Sequence, residues 1–180
     1  MPQTVQLTKK VLLLGDPSVG KTSLIRKYVH NMFKDEYIST LGTKVSSKKL
    51  IVNDQNKDLI AELKLMIWDV MGQKEYEMLH QSAYMGSQGA LIVCDLTRQE
   101  TLDNLPSWVS GLFDVAGQIP IIFIGNKCDL LSPNNSEFNG LSEIANIFNV
   151  PTFLTSAKTG QNVEKMFYNI GELLVKPIVV

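Results

Sequence analysis

Three apolar runs do most to limit what this chain can fold into: "KKVLLLG" near the start, "GALIVCDL" in the middle and "IPIIFIGNKCDL" later on. Each is continuous rather than alternating. A strand that is apolar on every residue must be buried on both faces, as in the interior of a parallel sheet. Between the runs stand segments with apolar residues at helical spacing. "KTSLIRKYVHNMF" carries Leu24, Ile25, Tyr28, Val29 and Met32 on one side, and "TLDNLPSWVSGLFDVAG" has Pro106 in its first turn and Gly117 as a C-cap. "SEFNGLSEIANIFN" is a helix interrupted by Gly140, "VPTFLTSA" a short last strand, and "GQNVEKMFYNIGELLV" a closing amphipathic helix. "KVSSKKLIV" and "LIAELKLMIWD" flank the turn signal "NDQNKD" and read as an antiparallel hairpin whose partial alternation leaves one face more solvated. The pattern predicts an α/β chain: a six-stranded, mostly parallel sheet with one antiparallel edge strand and about five helices on its two faces.

In such a sheet ligands sit beyond the carboxyl ends of the strands, so polar chemistry belongs there. The first strand runs into "GDPSVGKTS", which fits G-x-x-x-x-G-K-[ST] with Gly15, Gly20, Lys21 and Thr22 at the fixed places. Glycines allow a tight turn and close backbone approach, so the N–H groups of Ser18, Val19 and Gly20 can form an anion nest. The helix opening at Lys21, Thr22 and Ser23 adds its positive N-terminal end. Lys21 reaches outer phosphates, and the Thr22 hydroxyl suits Mg²⁺. In this strand–helix setting the stretch fits the phosphate loop of a three-layer P-loop nucleotide-binding fold, and an ordinary strand–turn–helix connection is the other reading.

The other strand ends carry matching groups. "WDVMGQ" closes the second hairpin strand; Asp69 is placed for a Mg²⁺ carboxylate acting through water, and Gly72 for a backbone N–H on a terminal phosphate. "GNKCD" follows the fifth strand. Asp129 could accept two hydrogen bonds from the adjacent N–H donors of guanine, Asn126 could line the same side, and the Lys127 stem could cover a ring face while its ammonium supports the loop; in isolation the stretch also reads as a solvated polar loop. "TSAK" follows the sixth strand; Ser156, Ala157 and Lys158 border the base, with the Ala157 N–H directed at the guanine carbonyl.

With "GDPSVGKT", "WDVMGQ", "NKCD" and "TSAK" in this order, the chain resembles the small GTPases of the Ras superfamily from about residue 8 to 175 of a single domain spanning 1–180. "YISTLGTKV" and "WDVMGQKEY" are most similar to the Rab branch. The resemblance implies a switch that binds GTP or GDP with Mg²⁺ and hydrolyses GTP slowly. It places the Mg²⁺-binding threonine of the first switch loop eighteen positions beyond Thr22, at Thr40, and the aromatic that meets the guanine eleven beyond, at Phe33. Gln73, after Gly72, stands where the family holds the glutamine that orients the attacking water, which makes Gln73, Lys21 and Thr40 the catalytic set. Loops near 33–45 and 70–84 then form the surface read by effectors, exchange factors and activating proteins, with Trp68, Tyr76 and Met78 contributing. No arginine is evident to act in cis. His30 and His80 carry no motif and read as surface or helix-packing residues.

The chain departs from the pattern in places. Pro17 and Ser18 stand where many members have glycine, Met71 replaces the usual alanine, and Val45 and Ala83 take positions where Rab proteins present aromatics. "LLVKPIVV" has no cysteine for a lipid anchor, a feature expected of prokaryotic Rab-like GTPases. With a formal net charge of −1, nothing suggests general nucleic-acid or membrane-surface affinity. Two isolated cysteines, no signal-like N-terminus and no apolar run of ~18 residues point to a reducing cytoplasm, and the chain is expected to be a monomer. Two other readings stay open: a guanine-nucleotide scaffold with little turnover, and a P-loop ATPase or kinase, which Asp129 disfavours.

Overall fold

The computed structural model describes residues 3–34, 42–54, 59–72, 77–132, 134 and 136–176. Six strands form one sheet: β1 (Gln3–Leu14), β2 (Thr43–Asp54), β3 (Leu59–Val70), β4 (Gly89–Asp95), β5 (Ile121–Asn126) and β6 (Thr152–Leu154). Their order across the sheet is β2-β3-β1-β4-β5-β6, with β2 antiparallel to β3 and every other pairing parallel. This is the mixed α/β sheet that the sequence predicts.

Why the apolar runs are continuous is visible in β1. Val11 and Leu13 face one side and join α1 (Lys21–His30) and α6 (Val163–Val175) in a first core, with Leu24, Tyr28, Met166, Phe167 and Ile170. Leu12 and Leu14 face the other side and join a second core with Trp108, Leu112, Leu141 and Ala145. All four side chains are fully buried. The second core is closed by α2 (Glu77–Tyr84), α4 (Leu105–Ala116) and α5 (Ser136–Phe148). By contrast β3 alternates: Ala61, Leu63, Leu65 and Ile67 are fully buried, whereas Glu62 and Lys64 are exposed. One face of the hairpin is therefore solvated.

Two helices differ from their sequence reading. The first ends at His30, because Asn31 adopts a left-handed conformation (φ 52°) and its N–H caps Arg26 and Lys27 carbonyls. Met32 and Phe33 thus lie beyond it. The segment read as one helix from Thr101 is two: α3 (Gln99–Asp103) and α4, parted at Asn104. Pro106 lacks the N–H that would continue the ladder across that point. Gly140, conversely, does not break α5, whose helix runs through it.

Candidate functional site

The carboxyl ends of β1, β3, β5 and β6 bring four loops to one rim of the sheet. After β1, Gly15 (φ 137°), Ser18 (φ 64°) and Gly20 (φ 104°) curl the backbone. Only glycine fits at position 20, since an added Cβ would collide with the Asn126 amide nitrogen. The loop delivers Lys21 as the first residue of α1, whose first turn holds no acidic residue. The buried Lys21 ammonium donates to the carbonyls of Gly15 (2.7 Å) and Asp16 (2.9 Å). Burial lowers its pKa to about 8; Asp69 and Asp16 pull it back up, and Arg98 pushes it further down.

Beside Lys21, the Thr22 hydroxyl donates to Asp69 Oδ2. Asp69 is itself buried, and its Oδ1 has no hydrogen-bond partner among the described residues. Burial raises the Asp69 pKa, against the Thr22 hydrogen bond and the charges of Lys21, Lys44 and Arg26. An orphaned carboxylate oxygen next to a hydroxyl is a donor set that fits Mg²⁺, a hard cation held through oxygen ligands. A cavity of about 160 Å³ opens there, with Thr22 and Asp69 in its wall. No cluster of three or more His, Cys, Asp or Glu side chains is found among the described residues.

Gly72, beyond β3, lies directly on the phosphate loop. A Cβ there would sit 2.5 Å from the Asp16 carbonyl carbon and from the Pro17 nitrogen. Gln73, Thr40 and Tyr76 fall outside the described residues. Phe33 is described; it is half-buried and packs against the core formed with α1 and α6.

The residues after β5 and β6 tie the rim together. Asn126 is buried; its amide donates to the Val19 carbonyl (2.9 Å), and its Oδ1 accepts from Thr155 Oγ1 (3.1 Å) and the Ala157 N–H (3.3 Å). One side chain thereby spans three loops. Lys127, itself left-handed (φ 66°), donates to the Ser18 carbonyl (2.9 Å) and to Asp95 Oδ2 (2.6 Å). Asp129 is exposed on a short 3-10 turn, Cys128–Leu130. Ser156 is buried and accepts the Thr159 N–H, while Lys158 is exposed.

Further residues of the rim escape motif reading. Asp95, at the end of β4, accepts from Thr97, Arg98 and Lys127. Burial works upward on its pKa, but the Lys127 and Thr97 hydrogen bonds outweigh it and hold the carboxyl below its usual range. Its position at a strand end was the available signal. Arg98 also donates to the Pro17 carbonyl (2.8 Å), so an arginine does reach the phosphate loop in cis, although nothing in the sequence placed it there. Asp16 is buried, and its carboxylate accepts from Asn104 Nδ2 (2.6 Å) and Trp108 Nε1 (2.8 Å).

Comparison with known proteins agrees with this architecture. The family model described as "Ras family" matches residues 10–176. The Ras-related protein Rab-27B of Rattus norvegicus is 34% identical over 173 residues, covering 93% of this chain and 79% of its own length. Rab-27B of Homo sapiens is 35% identical over 175 residues with the same coverage. Rab11A of Lotus japonicus is 33% identical over 162 residues, covering 89% of this chain and 69% of its own. With a glycine-curled loop leading into Lys21 at the rim of a β2-β3-β1-β4-β5-β6 sheet, and relatives of this kind along nearly its whole length, the chain belongs to the Ras family and is a Rab-like small GTPase.

Proposed function

We propose that the protein is a GTP/GDP switch that binds guanine nucleotide with Mg²⁺ at this rim and slowly hydrolyses GTP to GDP and phosphate. The observation that carries the reading is the Thr22–Asp69 pair, with an orphaned carboxylate oxygen beside the buried Lys21 ammonium. Thr22 and Thr40 would hold Mg²⁺ directly and Asp69 through water, and the ion would supply positive charge against the phosphates. Lys21 exchanges its two carbonyl contacts for phosphate oxygens. The backbone of Gly15 and of residues 18–23 cradles the phosphates. Asn126, Lys127, Asp129, residues 156–158 and Phe33 hold the base. Gln73 orients the water for in-line attack on the γ-phosphorus. Thr40 and the Gly72 N–H hold the γ-phosphate, so segments 33–45 and 70–84 relax when it leaves.

Intrinsic turnover is slow because Arg98 is committed to Asp95 and Pro17; an arginine from an activating protein adds ~10³–10⁵ in rate. Exchange factors, effectors and activators are the partners, and the protein works as a cytoplasmic monomer in one domain. A second reading, a scaffold with little turnover, is favoured by one observation: Pro17 sits against Gly72, close to Gln73 in the chain. Single-turnover GTP hydrolysis by the protein and by Gln73→Leu separates the two. The switch predicts measurable phosphate release that falls at least about tenfold in the variant. Equal rates favour the scaffold, and a preference for ATP over GTP in competition defeats both.

A further inference from the structure

We propose that His80 is a positioning residue that fixes the plane of the Met71–Gly72 peptide and so aims the Gly72 N–H at the nucleotide. This rests on the proposed contact between that N–H and the γ-phosphate. The His80 ring is buried on α2, and its Nε2 lies 2.9 Å from the Met71 carbonyl oxygen. A carbonyl only accepts, so Nε2 carries the proton. The Met71 C=O and the Gly72 N–H belong to one planar trans peptide, in which the two groups point in opposite directions. Holding the carbonyl toward His80 therefore turns the Gly72 N–H away from α2. Gly72 itself lies against the phosphate loop, where an added Cβ would meet the backbone of Asp16 and Pro17.

The ring is itself anchored. Tyr84, one turn along α2, lies nearly parallel to it (centroids 6.0 Å, 19° between planes), and Trp108 of α4 tilts against it (5.6 Å, 53°). The indole N–H of Trp108 in turn donates to Asp16 Oδ1 in the phosphate loop. The contacts close a circuit, Asp16–Trp108–His80–Met71–Gly72, that returns to Asp16. Both ends of the peptide are thus referenced to the same loop. A glycine would otherwise be free to rotate its peptide plane, and the N–H would lose its aim.

The test separates hydrogen bonding from packing. Affinities of the full chain for Mg²⁺-GDP and for the Mg²⁺ complex of a non-hydrolysable GTP analogue are measured for wild type, His80→Phe, His80→Gln and His80→Asn. Phe keeps a ring and removes the donor. Gln carries an amide N–H to the Nε2 position, whereas Asn is one methylene short. The proposal expects His80→Phe and His80→Asn to weaken the GTP analogue about tenfold with GDP affinity unchanged within about twofold, the loss of one well-aimed hydrogen bond to a charged group. His80→Gln should restore most of the difference. Should His80→Phe fail to fold, the Gln and Asn pair still decides: equal analogue-to-GDP affinity ratios in the two overturn the assignment. A wild type that binds guanine nucleotide while all variants keep its ratio overturns the role of His80 alone. A wild type that binds neither nucleotide overturns the proposed function with it.

Discussion

At the scale of single residues, the rim is governed by how buried charges are satisfied. Asp95 is almost fully buried and is held ionised by Lys127 and Thr97. Its folded pKa lies below the ordinary 3.8. It therefore binds fewer protons folded than unfolded, and its contribution is fully present above about pH 4 and lost as pH falls through the lower folded value. Urea titrations between pH 2 and 6 should show wild type losing more stability on acidification than Asp95→Asn; equal slopes would remove Asp95 from that role. Asp129 is exposed, and in the proposed function it is the acceptor for the guanine base. Asp129→Ala should reduce the preference for GTP over ATP by at least about a hundredfold in a competition titration, since the guanine donors lose their acceptor, while leaving the melting temperature within a few degrees.

At the scale of elements, loops are fastened to one another rather than merely adjacent. Asn126 joins the ends of β5 and β6 to the phosphate loop through three hydrogen bonds. Asn126→Ala leaves buried donors and acceptors unpaired, at a cost of about 1–3 kcal/mol each. It should lower thermal stability by several degrees and weaken both GDP and GTP, as read by scanning calorimetry and nucleotide titration. Gly72→Ala acts differently. Its Cβ would overlap the backbone of Asp16 and Pro17, so the phosphate loop and the segment after β3 must part. Single-turnover hydrolysis should fall at least tenfold while GDP still binds, since remote shifts of about 1 Å cost on that order in rate. The element boundaries also show where sequence reading stops. The end of α1 is set by the left-handed Asn31, a residue type that also sits inside helices, and the α3–α4 break by Asn104 acting with Pro106. Propensity marks such points weakly, because the competing backbone geometry is decided by packing.

At the scale of the whole molecule, two cores clamp one sheet and leave its carboxyl rim to chemistry. The end of β1 and all of β4 and β5 were legible because burial on both faces forces continuous apolar runs, the hairpin because it alternates about a turn signal, and the phosphate loop because its glycines and lysine fall within one short stretch. Arg98, Asn104 and Trp108 were not legible. Each meets the phosphate loop from 81 to 92 residues away, and no local pattern encodes such a contact. His80 was legible only as a packing residue, since its bond to Met71 depends on how α2 settles against α4. The frame itself is testable: Phe123, fully buried in β5 and edge-on to Phe148, should cost about 3–5 kcal/mol when cut to alanine, read by chemical denaturation. The central claim is that one rim senses a single phosphoryl group. Hydrogen exchange of the protein loaded with Mg²⁺-GDP and with a non-hydrolysable Mg²⁺-GTP analogue tests it most directly. The account predicts stronger protection by the analogue confined to segments 33–45 and 70–84, with β4, β5 and α6 unchanged; identical exchange in the two loaded forms would contradict it.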